Sequence, residues 1–349
     1  MSHSTLVFVT YIFLLLANFF FTLTVQATDN ETGADESVTS YNIDDDDSEL
    51  CPDTPPVTPQ ADENFFSFLD GPREYVSNGV ELMAKNMDEF FSDEKITYDT
   101  SGSILKLRQK YLWEDHSSIR STSNVSFKLR LPYTEKKMSL FFETNRENEQ
   151  YSATPVQAEN TAVASNQESD YIAGVHADLG EKYEWKFKPT LGVNLDSSLD
   201  TFARFRLSRD FKFVNWSIYW HEMPYWYNSF GWGFDSYFEL NRKINEDTLF
   251  RSSTFAGWRN DTDQYDLNQV FTLYHTINPK TAMSYYAGVY GVSEPAVHTT
   301  YFLLGATFRQ NIHKDYLFLD IVPQIRYQKV KRFHPEHSVV LQLEMVFKK

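Results

Sequence analysis

From Asn124 to Glu143 the side chains alternate between greasy and wet with a period of two. Val125, Phe127, Leu129, Leu131 and Tyr133 occupy one phase, and Ser126, Lys128, Arg130 and Pro132 occupy the other. A polar break, Thr134–Lys137, interrupts the run. Met138, Leu140 and Phe142 then restart it against Ser139, Phe141 and Glu143. Successive side chains of a strand point to opposite faces, so the first strand has one oily face and one charged face. Lysine and arginine are costly in a dry core. The surroundings that satisfy both faces are lipid on one side and water on the other.

The same rhythm fills the chain from Ser103 onward. Leu105, Leu107, Tyr111 and Trp113 are expected to face out, with Lys106, Arg108 and Lys110 facing in. After a long polar insertion, Asn145–Asp170, come Tyr171, Ala173, Val175, Ala177 and Leu179. Next, Tyr183, Trp185, Phe187, Leu191, Val193 and Leu195 alternate with Glu184, Lys186, Lys188 and Asn194. Ala203, Phe205 and Leu207 oppose Arg204 and Arg206, and Val214, Trp216, Ile218 and Trp220 follow. Phe230, Trp232, Phe234 and Phe238 oppose Gly231, Gly233, Asp235 and Glu239. Further strands are expected at Phe250–Trp258, Tyr265–Thr276, Ala282–Gly291, Thr299–Phe308, Tyr316–Tyr327 and Val339–Phe347. Pro189 and Pro323 fall inside such runs, where a backbone donor is lost.

These runs predict an all-β fold, a transmembrane antiparallel up-and-down β-barrel of about 14 strands (12–16) with a short helical extension before it. The links give an independent test. If the first strand rises from the periplasm, every second link should be a short turn. Thr134–Lys137, Gly180–Lys182, Ser208–Asp210, Asn241–Asp247, Asn278–Lys280 and Gln310–Asp315 fall in that phase. The opposite phase holds the long insertion and the aromatic segment Met223–Asn228.

Charge and cysteine usage narrow the remaining classes. The net charge of −16 is concentrated at one end: Thr28–Thr100 holds 20 acidic residues against 3 basic ones. The rest is nearly neutral, so nucleic-acid binding gains no electrostatic support. A single cysteine, Cys51, excludes an intramolecular disulfide. A helical membrane protein needs several apolar runs of about 20 residues, and only Leu6–Leu23 supplies one. With Val25-Gln26-Ala27 after it, that run reads as a cleaved secretory signal over 1–27. Residues 28–62, with Asp44–Asp47 and the Pro-rich Pro52–Pro59, read as a disordered acidic linker. In 63–100 the period turns helical. Val76, Val80, Leu82, Met83, Met87 and Phe90 form an apolar stripe with Lys85, Asp88 and Glu89 behind it, after a start at Asp70-Gly71-Pro72. Such a helix needs a surface to cover: it closes the periplasmic mouth, enters the lumen as a plug or lies on the membrane, with packing on its own barrel the favoured expectation. The barrel itself occupies 101–349.

At the C-terminus, Leu341, Leu343, Met345 and Phe347 alternate and end on an aromatic, followed by Lys348 and Lys349. This resembles the assembly signal of Gram-negative outer-membrane β-barrels. The resemblance implies location in the cell outer membrane, contact with its lipid and lipopolysaccharide, and insertion by the barrel assembly machinery. Trp113, Tyr183, Trp185, Trp216, Trp220, Trp232 and Trp258 suit the aromatic belts at the two interfaces.

The candidate functional residues are the inward charges: Lys106, Arg108, Lys110, Lys128 and Arg130 on two adjacent strands, and Lys186, Lys188, Arg204 and Arg206 on a later pair. Asp178, Asp235, Glu239, Asp320 and Glu344 oppose them. A basic ladder facing an acidic wall sets a field across a watery lumen. The favoured reading is a passive pore for small hydrophilic, anion-leaning solutes. The alternatives are a lipid-modifying enzyme and a structural or surface-binding barrel whose interior ion pairs close the lumen. For an enzyme, His116 beside Ser117 and Ser118, His221 beside Glu222, and His334, Glu336 and His337 are the groups to watch, each expected as a solvated loop histidine. For surface binding it is Tyr225-Trp226-Tyr227. No cofactor, metal or catalytic residue is assigned.

Overall fold

A computed structural model describes residues 80, 82–91 and 102–348, except 116–117, 132–136, 145–170, 180, 183, 196–198 and 214. All of them belong to one unit, Asp62–Lys349. The expected signal segment, the acidic linker, the Asp70-Gly71-Pro72 helix start and the long insertion lie outside the described residues.

The strands are β1 (Ile104–Glu114), β2 (Arg120–Arg130), β3 (Met138–Thr144), β4 (Tyr171–Ala177), β5 (Glu181–Lys182), β6 (Trp185–Asn194), β7 (Asp200–Lys212), β8 (Trp216–Tyr227) and β9 (Gly231–Lys243). They continue as β10 (Thr248–Arg259), β11 (Gln264–Asn278), β12 (Thr281–Val292), β13 (His298–His313), β14 (Leu317–Gln328) and β15 (Pro335–Lys348). β5 is a two-residue ladder on β6, and β4 pairs with β6 directly. Fourteen staves therefore form the wall. Each is antiparallel to its neighbours, and β1 closes on β15 from Ile104↔Lys348 to Glu114↔Ser338.

Alternation becomes inside and outside. On β13, Leu303 is fully buried while its neighbours Phe302 and Leu304 stand in the open on the outer face. On β2, Val125, Phe127 and Leu129 are exposed, and Lys128 between them is buried. A wall that is oily outside and charged inside cannot be a soluble barrel, whose faces would be reversed.

The strands run further than the periodicity implies. Ser208–Asp210 is part of β7. Ser208 and Asp210 point inward, where Lys186 Nζ reaches Asp210 Oδ2 at 3.0 Å, and Arg209 points outward to Glu184 at 2.7 Å. A polar triplet that alternates is indistinguishable from a turn until its partners are known. The turn comes later, closed by Phe213 N–H donating to the Trp216 carbonyl. Asn241 and Gln310 likewise belong to β9 and β13. The aromatic segment Met223–Asn228 is strand through Tyr227.

Two close approaches show how the interior is filled. A Cβ on Gly233 would stand 2.1 Å from the Tyr225 ring, and one on Gly305 would stand 2.5 Å from the Tyr286 ring. Rings from neighbouring strands lie flat over these glycines, a space no other residue leaves. Lumen aromatics can then pack against the wall itself.

Candidate functional site

The site is the inside of the barrel, and its chemistry divides in two around the circumference. On β9–β15 and β1 most inward charges are buried. Arg309 (β13) is fully buried and sends Nη1 to Asp320 Oδ2 (β14) at 2.6 Å and Nη2 to Glu344 (β15). Glu344 also takes Arg108 of β1, and Gln342 Nε2 donates to Asp320 Oδ2 at 2.7 Å. Two guanidinium groups and two carboxylates thus span four strands and neutralise one another. The Arg309 guanidinium lies 4.4 Å over the ring of Phe318. Beside them, Leu112, Val270, Tyr286, Tyr290, Leu303, Val322 and Val340 form an apolar cluster. Acids and bases stand opposite each other on adjacent strands at bonding distance, the salt-bridged arrangement set against an open lumen in the sequence-based alternatives.

The other half is basic. Lys128 and Arg130 of β2, Lys186 and Lys188 of β6, and Arg204 and Arg206 of β7 all point inward. Lys188 stands opposite Arg206 and Thr190 opposite Arg204. Arg130, Lys186, Lys188, Arg204 and Arg206 are half-buried, so water reaches them. Lys106, Arg108 and Lys110 of β1 are buried and form the boundary with the sealed half. Among these bases sit Asp210, paired with Lys186, and Glu143. With Lys106, Lys128, Ser126, Phe141 and His176, Glu143 lines a small pocket with room for about one water molecule.

Asp235 and Glu239 face inward from β9 and are buried. Glu239 accepts from Asn241 Nδ2 at 2.7 Å and from Tyr237 O–H at 3.0 Å, and lies 3.4 Å from Arg251. Arg251 is a residue the sequence reasoning missed. It is fully buried on β10 and binds Asp88 Oδ1 at 2.6 Å. Asp88 belongs to α1, the helix covering residues 82–90.

α1 packs inside the barrel. Met83, Ala84, Met87 and Phe91 bury against Leu249, Tyr274 and Ala282. The Phe91 ring sits 5.2 Å from Tyr274, and Phe90 meets Phe318 edge-on at 5.9 Å. Glu89 pairs with Lys348 at the rim. Leu249, Ala282, Phe318 and Lys348 lie at strand ends on the side where both β1 begins and β15 finishes, so α1 occupies that mouth. Asp88 was expected on the solvent side and Leu82 on the buried one; the structure reverses both. A helix inside such a wall is sorted by what the wall offers, and Arg251 demands an acid.

The histidines do not assemble an active site among the described residues. His221 is no loop residue: it is buried inside β8, stacked on Tyr237 at 5.1 Å, with Arg206 Nη2 at 3.3 Å. Glu222 points the opposite way, out of the barrel. His337 Nδ1 meets Asp115 at 2.9 Å, and Glu336 pairs with Lys331, both at the outer rim. His116 and Ser117 lie outside the described residues. Tyr225 and Tyr227 turn inward and bury, leaving Trp226 on the outer face, so the three do not form the aromatic surface patch that the surface-binding alternative called for.

The closed sheet, apolar without and charged within, defines the class: an outer-membrane-type β-barrel. No protein-family profile matches the chain, and no curated protein matches it. Among solved structures it is similar to a loop-deletion mutant of OmpT, an outer membrane protein of Vibrio cholerae. That likeness is 8% identity and TM-score 0.41 over 71% of this chain and 100% of that one. It is also similar to the outer membrane channel DcaP of Acinetobacter baumannii, at 9% identity and TM-score 0.42 over 70% and 96%. For a KdgM porin in complex with disordered oligogalacturonate the figures are 8% identity, TM-score 0.34, 69% and 99%. The fold assignment rests on the closure of the chain's own sheet.

Proposed function

We propose that the chain is an outer-membrane pore for small hydrophilic, anion-leaning solutes, held shut in this state by α1. The observation that carries the reading is the water-accessible arc of Lys186, Lys188, Arg204 and Arg206 facing the sealed wall. A lumen lined by one sign of charge over low-dielectric walls concentrates the opposite ion. The N-terminal segment lies in the periplasm, where the mouth holding α1 opens, and the outer face meets lipid and lipopolysaccharide after insertion by the barrel assembly machinery. A second reading, a structural barrel with no conductance, is favoured by the ion network around Arg309.

Proteoliposomes separate the two. The full chain, and a chain lacking residues up to Thr100, would be reconstituted with a chloride-sensitive dye inside. The pore reading expects chloride entry to rise strongly on deletion and to exceed potassium flux. No flux from either protein, with an unboiled gel band proving both folded, leaves the structural barrel.

A further inference from the structure

The lipid-facing surface is apolar over most of its circumference. Phe302, Leu304 and Phe308 of β13, Ile321 and Ile325 of β14, and Leu341, Leu343 and Met345 of β15 all belong to the outward phase. On β8–β11 the phase continues but its chemistry changes. Glu222, Ser236, Ser252, Thr254 and Gln269 point outward near mid-strand. The strand register makes them one patch: Glu222 stands opposite Ser236, Ser236 opposite Ala256, and Thr254 opposite Gln269. Glu222 Oε1 accepts from Trp220 Nε1 at 2.6 Å and from Ser236 Oγ at 2.8 Å. Its Oε2 is buried and has no hydrogen-bond donor among the described residues. Across the patch, Thr254 Oγ1 donates to Gln269 Oε1 at 2.5 Å, and Gln269 Nε2 donates to Ser252 Oγ at 2.9 Å. Gln109 with Ser123, near the opposite side, is a second outward polar pair and carries no charge.

A carboxylate at this depth is costly in hydrocarbon, and ionisable groups within a membrane almost always face protein or water. Lipid headgroups do not reach mid-strand. We infer that the β8–β11 face is an interface between two copies of this chain, related by a two-fold axis along the membrane normal that passes between Ser236 and Ala256. The patch is complementary to itself. Its acceptor end, Glu222, and its amide end, Gln269, flank the small residues Ser236 and Ala256. A two-fold rotation sets the Glu222–Ser236 end of each copy against the Thr254–Gln269 end of the other, the reciprocal contact an isologous interface requires. Small side chains at the centre let the two walls approach closely. The inference goes beyond the pore reading and holds for a silent barrel equally.

Cross-linking in native outer membranes tests it. In a Cys51→Ser background, Ala256→Cys is expected to oxidise to a species of twice the chain mass. Leu129→Cys, outward on the far side at β2, is expected to stay single. Adding Glu222→Leu and Gln269→Leu to Ala256→Cys should cut the doubled species at least tenfold while the protein keeps its folded gel mobility. A monomer that takes up a lipid-soluble maleimide at Ala256→Cys overturns the proposal, as does a cross-link at any other mass. The unmodified protein in detergent gives a second readout: sedimentation as a dimer supports the interface, and as a monomer overturns it.

Discussion

Replacing Arg309 with methionine tests whether half of the barrel interior is sealed. Arg309 is fully buried and bonds Asp320 at 2.6 Å as well as Glu344. Its removal leaves Asp320 with only Gln342 as a donor described here and Glu344 with Arg108. Breaking a buried ion pair from one side costs about 3–5 kcal/mol, whereas an exposed pair is worth about 0–1 kcal/mol. The two environments therefore predict separate outcomes. Arg309→Met should lose about 3–5 kcal/mol in urea unfolding followed by tryptophan fluorescence in lipid vesicles. Adding Asp320→Asn removes the stranded charge but keeps an acceptor for Gln342, and should restore stability to within about 1–2 kcal/mol of the parent. A loss below about 1 kcal/mol in the single variant would mean that water screens the network. The claim of a sealed wall would then be wrong.

Two further outcomes follow from the interior geometry. Gly233→Val places a Cβ 2.1 Å from the Tyr225 ring, which must swing into the lumen; the same titration should register a loss of about 1–3 kcal/mol. Exchanging Lys188, Arg204 and Arg206 together for glutamine should shift the reversal potential of the open pore toward non-selectivity, since these groups line the water-accessible arc.

Strand number and closure were legible in the sequence because both rest on a period of two that a lipid-facing wall cannot break. Turn positions were less legible. Ser208-Arg209-Asp210 looks like a turn, yet Lys186 and Glu184 on neighbouring strands claim its charges from inside and outside. Partner identity is a property of register, and register is invisible in a single chain. The same limit hid Arg251, which sits among Ser252, Ser253 and Thr254 with nothing local to mark it as the anchor for Asp88. It also hid the direction of His221 and Glu222, which adjacency groups together and a strand sends to opposite faces. Glycines told least of all, because their role is set by rings that arrive from elsewhere.

Planar-bilayer recording under a potassium chloride gradient is the sharpest test of whether α1 stoppers a basic, anion-preferring passage. The full chain should be nearly silent. Asp88→Asn, which removes the charge gripping Arg251 at 2.6 Å, should open frequently, with a reversal potential displaced toward that of chloride. A correctly folded Asp88→Asn barrel that stays silent, or one whose current is carried by potassium, would contradict that reading.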